Sequence, residues 1–313
     1  MPLPIYIFTG FLDSGKTSLI KNTLLDEQFN NGSRSLILRF EQGEDEYEES
    51  FLKKVNAFVE DFDSLDDCSL ETMRKLDNQY WPDQVMVEWN GTWDIKTFLD
   101  APLPEDWIIV QIITTIDAST FENYINNMRT FMFNIISTTD VIIFNRIEKD
   151  MKKNYLRTNV KSINNACQIV YESIDGDILE YTEEDLPFDL KSKEFKVDNN
   201  DYGLWYVDAL ENADKYVDKV VTIQGRVLKE PESKDPIYIF GRNAMVCCAD
   251  DIQLYGYMVR SRDINALKDH AWIELKATMK AVFDPNFARN VPALIEESVT
   301  YMDAPDDELV YFR

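Results

Sequence analysis

Two hydrophobic patterns divide the chain. In the first half, short uninterrupted apolar runs alternate with longer stretches whose apolar residues recur every three to four positions. Such runs are typical of strands buried on both faces, and this period is typical of amphipathic helices. The predicted strands are 5–8, 35–39, 84–88, 107–113 and 141–144, and the predicted helices are 16–25, 48–60, 69–76 and 120–136. This alternation predicts right-handed crossovers and an α/β fold with a mostly parallel sheet.

The pattern changes near residue 188. The following segment, 189–201, is polar and weakly periodic, and we interpret it as a linker. Beyond it, strands succeed one another with little helical pattern between them, and a short helix is expected at 261–269, after the third strand. Five strands with a helix after the third is the element order of an OB-type barrel. These strands are predicted at 220–227, 237–240, 253–259, 272–279 and 292–301.

Composition narrows the range of partners. The 313 residues are 45% apolar and carry 57 acidic against 32 basic side chains, a formal net charge of -25. Phosphate backbones and anionic lipids are bound by Lys and Arg, so we expect no nucleic-acid partner. Four cysteines do not make a disulfide framework in a chain of this length, and no apolar run approaches the ~18 residues of a membrane span. We therefore expect a reduced, cytoplasmic protein without direct membrane insertion.

A glycine-rich loop follows the first predicted strand. Residues 10–17 match G-x-x-x-x-G-K-[ST] at each fixed position and open a predicted helix. Gly10 and Gly15 let successive backbone N–H groups point at phosphate oxygens. Lys16 is expected to reach the β- and γ-phosphates, and the Thr17 hydroxyl to ligate Mg2+. The remaining residues expected to bind the nucleotide here are Asp13, Ser14 and Ser18.

Two later segments complete the predicted nucleotide site. The strand at 84–88 ends in Glu88, followed by Gly91, as a Walker B element does. We expect Glu88 to hold Mg2+ and the Gly91 N–H to approach the γ-phosphate. After the strand at 141–144 come Asn145, Arg146 and Glu148, where P-loop GTPases carry N-K-x-D to recognise guanine.

The acidic segment 41–49 has two interpretations, a solvated loop or a nucleotide-responsive switch. Phosphoryl transfer depends mainly on positioning and on neutralising charge. Glu41, Glu44 and Glu88 are therefore the candidate catalytic carboxylates, together with Lys16.

At these motifs the chain resembles the CobW-type P-loop GTPases of the CobW/HypB/UreG nucleotide-binding family. Residues 10–18 are similar to their G-F-L-G-S-G-K-T-T loop, 88–91 to E-T-S-G or E-T-T-G, and 116–118 to V-D-A, while 140–145 match the approach to the guanine motif. The resemblance covers about residues 3–180. It implies a GTP-binding, slowly hydrolysing switch that handles or senses a transition metal.

The chain also departs from that family. No cysteine lies between Thr17 and Cys68, where the family carries C-x-C-C, and Arg146 and Glu148 replace Lys and Asp of the guanine motif. GTP is expected over ATP on the resemblance alone. Two alternatives stay open: an ATP-binding ATPase or small-molecule kinase, and a nucleotide sensor that does not hydrolyse.

A cysteine pair marks the second half. Cys247 and Cys248, with Asp250 two positions on, combine soft and hard ligands for Zn2+ or another transition metal, although free cysteines are often only packing. The stretch resembles the C-terminal domain of YcgQ-type permease subunits. That resemblance implies a protein that works beside a membrane permease.

The sequence thus predicts a P-loop GTPase domain at 1–190, a linker at 191–201 and an OB-like β domain at 202–313. The expected function is slow, Mg2+-dependent GTP hydrolysis in a switch or chaperone of metal homeostasis or transport. The expected partners are guanine nucleotide and either a metalloprotein or a permease.

Overall fold

The computed structural model describes residues 2–230, 235–245, 252–285, 288–310 and 312. Contacts divide the chain into two compact units, Met1–Met151 with Ala166–Glu180 and Lys152–Asn165 with Tyr181–Arg313. This division differs from the predicted boundary, because it assigns residues 152–165 and 181–190 to the second unit. The ranges 1–190, 191–201 and 202–313 remain a prediction about independently folding domains.

An eight-stranded sheet forms the centre of the first unit, in the order β3-β2-β4-β1-β5-β6-β7-β8. All neighbours pair in parallel except β7 and β8, which confirms the predicted mostly parallel α/β fold. The strands are β1 Leu3–Thr9, β2 Ser35–Arg39, β3 Ala57–Asp61, β4 Gln84–Glu88, β5 Trp107–Asp117, β6 Val141–Ile147, β7 Gln168–Ser173 and β8 Ile178–Leu179.

Helices flank this sheet, and two of the predicted helices are divided. The pattern at 48–60 gives a helix that ends at Val55, and the left-handed backbone of Asn56 (φ 53°) then turns the chain into β3. The pattern at 120–136 is interrupted at Met128, where α6 ends and α7 begins. The helices of this unit are α1 Lys16–Leu25, α2 Glu27–Asn30, α3 Glu49–Val55, α4 Leu70–Tyr80, α5 Lys96–Leu99, α6 Ala118–Asn127 and α7 Arg129–Thr138.

The strand order determines which loops meet. β1 lies between β4 and β5, with Phe8 level with Glu88 and Thr9 level with Thr114. β5 in turn pairs with β6, and Asp117 is level with Asn145. Because the carboxyl ends of parallel strands share one edge of the sheet, the phosphate loop, the Walker B end and the guanine motif all lie on that edge.

A closed sheet forms the second unit. β10 pairs with both β11 and β13, and β12 pairs in parallel with β14, so five strands join in the ring β10-β11-β12-β14-β13. This closed sheet confirms the predicted C-terminal β domain. The strands are β9 Glu194–Lys196, β10 Val220–Leu228, β11 Ile237–Met245, β12 Ile252–Arg260, β13 Trp272–Asp284 and β14 Arg289–Tyr301.

The helices of the second unit differ from expectation. Residues 261–271 form turns, so the short helix predicted at 261–269 is wrong. Two helices lie outside the barrel strands instead, α8 Lys153–Ile163 and α9 Tyr202–Glu211. α9 is apolar on most sides, with seven of its ten residues buried, so it lacks the polar face that reveals a helix in sequence. The predicted linker contains β9, which pairs with β10.

Candidate nucleotide-binding site

The phosphate loop joins β1 to α1 and depends on its glycines. Gly10 and Gly15 have φ of 137° and 98°, in the region that favours glycine. A Cβ on Gly10 would lie 2.3 Å from the Thr115 carbonyl oxygen, so only glycine allows the loop to pass this close to β5. The hydroxyls of Ser14 and Thr115 are hydrogen-bonded at 2.8 Å, which holds the loop on that strand.

Lys16 lies under the loop and is almost completely buried, with 4% of its side chain exposed. Its ammonium donates to the carbonyl oxygens of Gly10 and Phe11, at 2.8 and 2.9 Å. It also forms an ion pair of 2.7 Å with Glu41 Oε2. A buried ammonium requires an anionic partner, and here the acidic segment provides it.

Thr17 and Glu88 face each other beside this lysine. The Thr17 hydroxyl donates to Glu88 Oε1 at 2.5 Å, and the Tyr47 hydroxyl donates to Oε2 at 2.7 Å. Burial raises the pKa of Glu88, and the bonds from Thr17 and Tyr47 oppose that shift. Burial likewise raises the pKa of the Tyr47 hydroxyl well above its ordinary value. A hydroxyl and a carboxylate are the hard oxygen ligands that suit Mg2+.

The acidic segment lies over the phosphate loop. Ser18 Oγ donates to Asp45 Oδ2 at 2.9 Å, so Lys16, Thr17 and Ser18 each contact a carboxylate. A cavity of about 200 Å³ lies between loop and segment, and Glu44 also lines it. The structure therefore brings the three candidate catalytic carboxylates, Glu41, Glu44 and Glu88, to one cavity.

Sequence reasoning missed Asp45 and Tyr47. Asp45 is one of several acids in its segment, so its type gave no signal. Tyr47 is an aromatic residue inside an acidic run, and only 9% of it is exposed. An aromatic residue among acidic ones indicates burial, because a large apolar ring in a charged loop needs an apolar contact. This was the signal in the sequence that could have revealed Tyr47.

Gly91 passes against the phosphate loop. A Cβ at this position would lie 2.1 Å from the Gly10 carbonyl oxygen. The close approach of the two backbones explains why a glycine follows the Walker B strand.

The guanine motif is attached to the same loop. Asn145 Nδ2 donates to the Ser14 carbonyl oxygen at 2.7 Å, and the Arg146 guanidinium donates to the Asp13 carbonyl oxygen at 3.1 Å. The Arg146 guanidinium also pairs with Asp117 Oδ2 at 2.6 Å. Glu148 is exposed, one residue beyond the end of β6.

The predicted transition-metal ligands Cys247, Cys248 and Asp250 lie outside the described residues. Within the described ranges, no three or more His, Cys, Asp and Glu side chains are grouped so as to hold a metal ion. Cys68 and Cys167 are buried, and burial raises the pKa of Cys68 to about 11. Among the helices described, none is both long and apolar enough to cross a membrane.

A family model described as the nucleotide-binding domain of CobW/HypB/UreG matches residues 4–171. The chain belongs to the CobW/HypB/UreG family. A second model, the DUF1980 C-terminal domain, matches residues 175–312.

One curated relative is the zinc-regulated GTPase metalloprotein activator 1 of Schizosaccharomyces pombe, 28% identical over 189 residues. The match covers 54% of this chain and 45% of that protein, so the chain spans less than half of this relative's length. A zinc-bound triple mutant of the YjiA GTPase is 16% identical with a TM-score of 0.44, over 86% of this chain and 92% of that one. HypB from Helicobacter pylori in complex with nickel is 12% identical with a TM-score of 0.39, over 56% and 80%.

Proposed function

We propose that this chain is a GTP-binding protein that hydrolyses GTP slowly in a Mg2+-dependent reaction. It acts as a switch or chaperone in metal homeostasis or transport. The observation that carries the proposal is the buried Lys16 ammonium under a glycine loop, next to the Thr17–Glu88 pair.

The residues present fit a nucleoside triphosphate with Mg2+. Gly10 and Gly15 adopt backbone conformations that a side chain would not allow, and α1 begins at Lys16, so its N-terminal N–H groups face the loop. Lys16 would hold the β- and γ-phosphates, and Thr17 and Glu88 would hold Mg2+. When bound, Mg2+ neutralises charge on the phosphate oxygens. Glu41 and Glu44, which line the same cavity, would orient water near the γ-phosphate.

The contacts of the acidic segment support a switch over a solvated loop. Glu41 holds the ammonium that a γ-phosphate would hold, and Asp45 holds the Ser18 hydroxyl. A phosphate group and the Glu41 carboxylate therefore compete for Lys16. Nucleotide binding would release Glu41 and Asp45, and with them segment 41–47.

The choice of GTP is supported by family membership and by the carboxylate of Glu148, which can accept hydrogen bonds from guanine N1–H and N2–H2. The role in metal handling is supported by the zinc-regulated relative and by the Cys247–Cys248 pair. A metalloprotein client follows from the name of that relative. A permease partner follows from the YcgQ resemblance alone.

The test is a nucleotide panel with the full chain, with and without Mg2+ and zinc. We expect unlabelled GTP to displace a fluorescent guanine nucleotide, ATP to compete poorly, and [γ-³²P]GTP to release phosphate slowly only with Mg2+. Equal competition by ATP would favour the ATPase or kinase alternative. Binding without phosphate release would favour the sensor. In the zinc arm, equal zinc affinity of the wild type and a Cys247→Ser/Cys248→Ser variant would exclude the cysteine site.

A further inference from the structure

Tyr47 joins the acidic segment to the carboxylate that ends β4. Its hydroxyl donates to Glu88 Oε2 at 2.7 Å, while the Thr17 hydroxyl donates to Oε1 at 2.5 Å. Each oxygen of this carboxylate therefore has its own hydroxyl donor, and the two donors come from different elements. Because only 2% of Glu88 is exposed, these two contacts determine how the carboxylate is turned.

The ring of Tyr47 is held by apolar packing. It belongs to a buried cluster that includes Phe8, Ile20 and Met86. A buried tyrosine needs a partner for its hydroxyl, the one polar atom of the side chain, and the carboxylate at the end of β4 is that partner. The acidic segment can therefore leave the phosphate loop at Glu41 while the ring at its far end remains in the core.

Arg39 lies over the same ring. The centre of its guanidinium is 5.8 Å from the centre of the Tyr47 ring, a distance at which a cation is attracted to the ring face. The guanidinium is itself fixed by Asp61, with Nε–Oδ1 at 2.5 Å and Nη2–Oδ2 at 2.9 Å. Pairing of β2 with β4 brings Arg39 level with Glu88. The ring is thus held between the core and a fixed cation, directly beside the carboxylate that it contacts.

We propose that Tyr47 is a positioning residue that makes Glu88 a ligand through one oxygen and so favours Mg2+ over Ca2+. The inference rests on the proposed function, in which Thr17 and Glu88 hold the cation. Mg2+ requires nearly octahedral geometry with few protein ligands, whereas Ca2+ often takes both oxygens of a carboxylate. The bond from Tyr47 occupies Oε2, which leaves Oε1, beside the Thr17 hydroxyl, for the cation. Removing a hydrogen-bond partner of a metal ligand typically weakens metal binding by about 10- to 100-fold.

The experiment titrates Mg2+ and Ca2+ by calorimetry into the full chain loaded with a non-hydrolysable GTP analogue, with the analogue alone as the blank. Tyr47→Phe keeps the ring in the core and removes only the hydroxyl. We expect this variant to bind Mg2+ about tenfold more weakly and to change less in its affinity for Ca2+, so the ratio of the two affinities falls. Its affinity for the analogue in EDTA should equal that of the wild type, because Lys16 and the glycines of the phosphate loop are unchanged.

Tyr80→Phe is the matched control, because it removes a tyrosine hydroxyl that donates to another carboxylate, that of Glu60 on β3. Its affinities for both cations should equal those of the wild type. An unchanged ratio of Mg2+ to Ca2+ affinity in Tyr47→Phe overturns the inference, whether both affinities persist or both fall together. That result in a chain that binds the analogue leaves the proposed function standing. If the wild type binds no guanine nucleotide, the proposed function itself fails, and the inference with it.

Discussion

Two buried cations, one in each unit, have similar surroundings and different uses. Lys16 is 4% exposed and pairs with Glu41. Arg157, on α8, is 8% exposed and pairs with Asp208 at 3.3 Å and with Glu211. The two carboxylates lie on α9, so the cluster attaches one helix of the second unit to another.

The two clusters differ in what lies beside the charge. The Arg157 cluster is closed by side chains: the Tyr216 hydroxyl donates to Asp208 at 2.6 Å, and the guanidinium lies 4.6 Å from the centre of the Tyr181 ring. Lys16 instead lines a cavity of about 200 Å³ under a glycine loop. Burial raises the pKa of both Glu88 and Asp208. Buried charge and a shifted pKa are therefore common to both clusters, and only the cavity and the loop indicate a ligand site.

The largest effect is expected on stability, at the Arg157 cluster. Arg157→Met should lower the free energy of unfolding by about 3–5 kcal/mol, because it leaves the buried Asp208 carboxylate without the cation that pairs with it. Urea denaturation followed by circular dichroism measures this. Lys196→Met, which breaks an exposed pair with Glu274, is the control and should cost less than about 1 kcal/mol. Similar losses of unfolding free energy in Arg157→Met and Lys196→Met would contradict the structural role of the buried cluster.

Lys16→Met should instead weaken nucleotide binding. Loss of the ammonium should weaken nucleotide affinity by about 100-fold, because hydrogen bonds to charged groups are worth about 1.5–3 kcal/mol each. Calorimetric titration measures the affinity. Lys53→Met, which removes an exposed cation on α3, should bind as the wild type does. Tight binding by Lys16→Met would contradict the role of the loop.

Glu41→Gln tests whether the acidic segment competes with phosphate. Neutralising the carboxylate on Lys16 should raise nucleotide affinity by about tenfold, since the competing ion pair is lost, and should slow hydrolysis. Glu46→Gln makes the same charge change at an exposed position of the same segment. An equal gain in nucleotide affinity in both variants would show that the effect comes from net charge alone.

The smallest expected effect is a pH dependence of the stability, which Glu88 causes. The pKa of Glu88 is raised above its ordinary 4.5, so its ionisation costs stability as pH rises from that value through the native pKa. Glu88→Gln should therefore gain stability relative to the wild type over that interval, and the gain should level off above it. Thermal unfolding between pH 4 and pH 8 measures the difference. A gain in stability that is independent of pH would contradict the burial argument.

The sequence predicted the first unit better than the second. The central strands β1, β2 and β4 each contain an uninterrupted apolar run, and the burial of these runs leaves little choice of structure. The edge strand β3 was assigned to a helix, because the helical period predicted at 48–60 continues past Asn56, where the backbone turns the chain into the strand. The helix α9 was missed because burial on most sides removes the amphipathic period.

The sequence by itself determined the phosphate loop, because its glycines, lysine and threonine are adjacent in the chain and their spacing carries the chemistry. It also determined that Glu88 ends a buried strand and that Gly91 follows this strand. Only the tertiary structure decided that Glu41 pairs with Lys16 and that Asp117 holds Arg146. Those partners are 25 and 29 residues apart, on different elements. Strand order brings them together at one edge of the sheet, and no local pattern encodes which carboxylate reaches which cation.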